Sequence, residues 1–324
     1  EFVYSGDGCR LLLLGDTAQL PPVGEELSPA LSADYLRSMS LDVTRVELTQ
    51  VMRQTEGSGI LTNATMLRNL IARGGDSMPC IRLTGFPDIA VVTGETLIET
   101  IETEYGAVGL EETIVLCRSN KRANIYNEGI RRILYREDEL NRGDLLMVVK
   151  NNYYWREQVG KVDKELLEKL DFVANGDIAE IMRVGGVEEM YGFRFADVTL
   201  SFPDYDCEFD VKILLDTLMS ESPSLTKSEN ERLFEAVWED YAEISAKRKR
   251  MEKLREDPYY NAMQVKYGYA VTCHKAQGGQ WRRVFLDQGY VTPEMATPDY
   301  YRWLYTAFTR ASERLYLVNW SDKQ

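Results

Sequence analysis

Hydrophobic and polar positions along the chain change period several times, and each change predicts an element. Residues 10–14, Arg-Leu-Leu-Leu-Leu, form a short continuous apolar run of the kind buried on both faces of a parallel sheet. The run ends at Gly15-Asp16, and Pro21-Pro22 keeps a helix from starting at once, so Gln19 is expected on a loop at the carboxyl end of a core strand. Residues 43–48 alternate as a strand does. From Gly59 to Ala72 apolar residues recur at helical spacing (Ile60, Ala64, Leu67, Leu70, Ile71), and Gly74-Gly75 stops the helix. A linker with Pro79 and Pro87 follows. Strand 89–92, helix 96–105, strand 113–117 and helix 121–135 then alternate, which predicts an α/β unit with a parallel sheet and right-handed crossovers.

From Asn141 to about Leu218 the pattern turns to β runs (143–150, 173–182, 196–200) separated by turn signals, with Asn175-Gly176 as a hairpin-type turn. Residues 226–257 read as helical and heavily charged, with Leu233, Phe234, Val237, Trp238 and Tyr241 on one stripe. Within them Lys247-Arg-Lys-Arg250 suits a solvated face by default, or a phosphate contact. The apolar run 267–271 then breaks at Thr272, and a polar cluster closed by Gly278-Gly279 follows. That is how a buried strand delivers side chains to the rim of a sheet, where ligands bind. A hydroxyl, the chain's single imidazole, an ammonium and an amide (Thr272, His274, Lys275, Gln277) emerge within six residues. Such a set suits phosphate oxygens and a nucleic-acid backbone, although a solvated turn would look the same. Strand 283–287, helix 298–311 and strand 314–318 complete the chain.

Composition narrows the choices. One His and five scattered cysteines without a C-x-x-C pair speak against a zinc site, a Ser-His-Asp hydrolase and a disulfide frame, and suit a reduced, cytoplasmic protein. No apolar run reaches the ~20 residues that cross a bilayer, so no membrane partner is expected. The net charge of −14 counts against a nucleic-acid binder judged by composition, but a channel needs only a local basic lining.

Four segments, taken in order, carry a family resemblance: Leu14-Gly-Asp-Thr-Ala-Gln-Leu-Pro-Pro-Val23, Leu48-Thr-Gln-Val-Met-Arg-Gln54, Thr272-Cys-His-Lys-Ala-Gln-Gly278 and Tyr305-Thr-Ala-Phe-Thr-Arg-Ala311. Together they resemble motifs III to VI of superfamily 1 helicases, most closely the RecD-like, 5′-to-3′ superfamily 1B group that includes the exodeoxyribonuclease V alpha subunit. The likeness covers residues 11–54, 112–152 and 265–320 well and the rest poorly. It implies two RecA-like lobes: residues 1–75 as part of the first, 76–140 and 259–324 as the second. An SH3-like β-barrel is expected at 141–220, where Gly143 to Asn151 resembles the family's opening strand, and a charged helical segment at 221–258.

The resemblance also implies roles. Gln19 and Arg53 would reach the γ-phosphate of ATP, Asp16 would lie by Mg2+ and the attacking water, and Arg310 would act as an arginine finger. Gln280 stands where relatives often carry an acidic residue near the ribose. Thr272, His274, Lys275, Gln277, Asn120 and Lys150 would meet single-stranded DNA, with Asn120 equally suited to capping a helix. Tyr153, Tyr154 and Trp155 suit either base stacking or a barrel core. Other recombination or repair subunits are possible partners. No G-x-x-x-x-G-K-[ST] occurs, no motif II Asp-Glu pair precedes Gly15-Asp16, and the chain opens at Glu1. A fragment without ATPase activity of its own is therefore expected, from an active helicase. A nucleic-acid-binding or scaffolding module is the alternative.

Overall fold

A computed structural model describes residues 6, 8–48, 57–160 and 170–320. Strands β1 (Ile89–Val92), β2 (Thr113–Cys117), β8 (Ala270–Thr272), β9 (Trp281–Asp287) and β10 (Ala311–Val318) form a parallel sheet ordered β1-β10-β9-β2-β8. Both faces are covered, which explains the near-continuous apolar runs. Val115, Cys117, Phe285 and Tyr316 face a core shared with α3 (Leu97–Val108), α4 (Asn120–Ile133) and the barrel described below. Their neighbours Ile114, Leu116, Val284 and Leu317 point the opposite way, toward α2 (Gly59–Arg73) and α8 (Pro298–Phe308).

Helix α2 starts where the Asp88 carboxylate accepts the Gly59 and Ile60 N–H groups at 2.8 and 3.2 Å, and stops at Gly74 with φ 65°. Its buried residues Ile60, Ala64 and Leu67 share one core with α8 and the sheet.

The second body is a closed, mixed barrel of β3 (Leu145–Val148), β4 (Ile178–Met190), β5 (Phe193–Phe202), β6 (Cys207–Leu214) and β7 (Met263–Tyr267). Neighbours are antiparallel except β6 and β7. The closing strand thus comes from beyond residue 220. Between β6 and β7 the chain makes α6 (Lys227–Asp240) and α7 (Lys247–Arg255), whose Leu233, Val237 and Leu254 pack on Phe193, Phe195 and Leu214. A buried polar centre joins barrel to sheet. Asp144, fully buried before β3, accepts from Arg131 of α4 at 3.1 Å and from the Tyr269 hydroxyl at 2.8 Å. Asn127 of α4 is paired with both the N–H and the C=O of Ala270 in β8.

Two expected strands do not form. Residues 10–14 and 43–48 form no regular element and pair with no strand among the described residues, and Leu12 and Leu14 are 78% and 82% exposed. A buried strand needs a neighbour on each side, and the described residues supply none. The two segments instead wall an apolar groove of about 570 Å³. No helix among the described residues is long and apolar enough to cross a membrane.

Candidate functional site

Three segments meet at the carboxyl edge of the sheet beside α8. The first is the turn carrying Asp16 and Gln19. Asp16 accepts the Ala18 N–H at 3.0 Å, its carbonyl accepts the Gln19 N–H at 3.1 Å, and its carboxylate takes the Tyr305 hydroxyl at 2.7 Å and Arg68 of α2 at 3.2 Å. Burial first, and then the Asp16 carboxylate, raise the Tyr305 phenol, so it remains a donor at neutral pH. The turn is also held by the Leu20 N–H, which donates to the Thr306 hydroxyl at 3.0 Å.

The second segment is the loop after β8. Lys275 and Ala276 N–H groups turn back onto the Thr272 carbonyl, and Cys273 is buried against the Trp303 carbonyl, so the loop is pinned at its base. Gln277 is exposed, and its amide donates to the Leu20 carbonyl at 2.8 Å. The third is the end of α8. Arg310 is 4% exposed; Nε donates to the Thr306 carbonyl at 3.1 Å, Nη1 to the Gly279 carbonyl at 2.8 Å and Nη2 to the Thr309 hydroxyl at 3.1 Å. Thr306 thus touches both the Gln19 turn and Arg310, and Gly279 joins Arg310 to the loop carrying Gln277.

The sequence-expected residues fall into groups. Asp16, Gln19, Gln277 and Arg310 belong to this one network. Gln280 is exposed on the same loop. Arg53 lies outside the described residues. Thr272, Lys275 and Asn120 line a second, small cavity between α4, the loop and the barrel. Lys275 reaches across to the barrel, donating to Asn175 Oδ1 at 2.7 Å and the Val149 carbonyl at 3.3 Å. His274 is exposed, and desolvation lowers its pKa, so at neutral pH it is a neutral ring with a donor and an acceptor. Lys150 is exposed at the end of β3, 3.4 Å from Asn230 of α6. The cap of α4 is Ser119, which accepts the Arg122 N–H; Asn120 instead donates to the Glu221 carbonyl at 2.9 Å. Tyr153 is already stacked on Phe172, and the Trp155 indole donates to the Asn261 carbonyl.

Arg68 and Lys266 were not anticipated. Arg68 sits in an amphipathic helix, where a lone Arg reads as surface. Lys266 sits in β7, a strand that the structure buries at every position, and nothing in its local sequence marked it.

The amide of Gln19 and the guanidinium groups of Arg68 and Arg310 suit the anionic, oxygen-rich phosphates of a nucleotide. Arg310 would exchange its present acceptors to reach them. Asp16 is already paired, and among the described residues no three His, Cys, Asp or Glu side chains cluster to hold a metal.

Residues 267–318 match the family model of the UvrD-like helicase C-terminal domain. The chain is 23% identical to the uncharacterized protein R530 of Acanthamoeba polyphaga mimivirus, over 94% of this chain and 68% of that one. Among solved structures it resembles a Pif1 helicase from Candida albicans at 13% identity and TM-score 0.39, over 95% of this chain and 64% of the other. A Pif1 helicase from Bacteroides, solved with ADP-AlF3 and single-stranded DNA, gives 14% identity and TM-score 0.42, over 98% of this chain and 64% of the other. The chain thus spans less than two thirds of these solved helicases. Over its last parallel strands and α8 the chain is similar to a UvrD-like helicase C-terminal domain.

Proposed function

We propose that this chain is the motif III-to-VI portion of an ATP-dependent, 5′-to-3′ DNA helicase or translocase of the RecD-like superfamily 1B group, its barrel the SH3-like insertion. The observation that carries the reading is the Gln277 amide on the Leu20 carbonyl. It ties the loop expected to hold single-stranded DNA to the turn expected to sense ATP, while Thr306 and Gly279 bring in Arg310. In this reading Gln19 and Arg310 contact the γ-phosphate, with Arg53 from the other side. ATP and its Mg2+ supply the phosphoryl chemistry. The chain's own residues orient the phosphates and pass closure of the cleft to Thr272, His274, Lys275 and Gln277.

These 324 residues contain no P-loop sequence, so the chain alone is proposed to lack ATPase activity. In a protein carrying an in-frame P-loop, Arg310→Ala is expected to lower ATP turnover by about 10³-fold or more while DNA affinity changes little. Equal loss of both would assign Arg310 a folding role. DNA-stimulated ATP hydrolysis by the 324-residue chain alone would overturn the division of labour. The second reading, a non-catalytic nucleic-acid-binding module, is favoured by the many internal bonds already held by Arg310 and Asp16.

A further inference from the structure

Several buried or half-buried cations in this fold are matched with carboxylates. Lys212 lies between Glu188 at 2.6 Å and Asp197 at 2.7 Å, Arg131 pairs with Asp144, and Arg283 with Glu104 and Glu313. Lys266 of β7 breaks the pattern. It is 8% exposed, its ammonium donates to the carbonyls of Thr217 and Ser220, and it forms no ion pair among the described residues. Lys275 brings a second ammonium, whose acceptors are the neutral Val149 carbonyl and Asn175 amide. Two positive charges therefore line one cavity, with no ion pair to either among the described residues, an arrangement that costs free energy unless an anion joins it.

The space between them is shaped for one. Lys266, Lys275, Thr272 and the first turns of α4 line a cavity of about 10 Å³, room for one water or one phosphoryl oxygen. The side-chain amides of Asn120, Asn124 and Asn127 there already donate to the carbonyls of Glu221, Met219 and Ala270. Each ammonium has a third N–H beyond its two acceptors, and the Thr272 hydroxyl can donate as well. The amino end of α4 adds its partial positive charge.

We propose that Lys266 and Lys275 form a phosphate seat at the seam between barrel and sheet, where one oxygen of a nucleic-acid phosphodiester enters beside Thr272. The assignment rests on the reading that the chain handles single-stranded DNA, and adds a barrel residue to that surface. A phosphodiester there is gripped by the barrel and the helicase-like domain at once, and requires no base contact.

The test uses the 324-residue chain with a fluorescein-labelled oligo-dT, an abasic oligonucleotide and inorganic phosphate. Lys266→Met, checked for folding by circular dichroism, is expected to weaken both oligonucleotides about tenfold and to flatten the plot of log affinity against log salt by about 0.7. Lys275→Met is expected to do the same, and Lys266→Arg to restore the salt slope. Unchanged affinity and slope in Lys266→Met, with wild type binding normally, would overturn the seat and leave the helicase reading standing. Wild type that binds neither oligonucleotide would overturn the DNA reading. In that event a phosphate-dependent rise in melting temperature, absent from Lys266→Met, supports a seat for free phosphate, and no rise removes the seat too.

Discussion

Lys266 shows how one side chain can make stability depend on pH. Burial, and then the field of Lys275, push its pKa down to about 8 from the ordinary 10.5. Between those two values the unfolded chain keeps a proton that the folded chain has released, so stability rises as pH climbs from about 8 to about 10.5. The whole effect is bounded at roughly 3 kcal/mol. Urea denaturation across that window should show the rise in wild type and a smaller one in Lys266→Met; parallel curves would show that the ammonium is well solvated. The sequence made residues of the Thr272 loop and Arg310 visible because their types and order form a recognisable series. Lys266 and Arg68 stayed hidden because their importance depends on which charges lie beside them, which no local pattern records.

Among elements, α8 does the most connecting. Eight of its residues are buried, its Tyr305 and Thr306 hold the Asp16–Leu20 turn, and Arg310 just past its end holds Gly279. Thr306→Val keeps the shape and removes the acceptor for the Leu20 N–H. Hydrogen exchange should then quicken at residues 16–20 while amides of β9 and β10 keep their protection. Equal loosening of the sheet would show that the hydroxyl serves the core. Strands 89–92 and 113–117 were readable to the residue, because turn-forming residues bound them and both faces are apolar. Segment 10–14 looked equally strand-like in sequence. Pairing decides a strand, and composition alone cannot say whether a partner is present.

For the whole molecule, the question is whether barrel and sheet behave as one. A single core runs from Val115 and Phe285 of the sheet to Val148, Phe202 and Ile213 of the barrel, and Asp144 bridges α4, β3 and Tyr269. Thermal unfolding followed by far-ultraviolet and near-ultraviolet circular dichroism should therefore give coincident transitions. Two separated steps would mean that the barrel folds independently. The barrel's existence was legible from its β runs, but its extent was not. Its closing strand follows a largely helical excursion over residues 215–262, and strand β7 reads as part of the run that enters the sheet.

That shared run has a mechanical meaning. Only Gly268 and Tyr269 separate the barrel's last strand from the sheet's edge strand, and both are clamped to Leu145: the Gly268 N–H reaches its carbonyl at 2.7 Å, and its own N–H reaches the Tyr269 hydroxyl at 3.2 Å. A linkage so short and so tightly fastened has no slack. A pull on the barrel would be delivered through those two residues to β8 and its last residue Thr272, and from there to Gln277 and the turn it grips, as a rigid crank passes torque to its shaft.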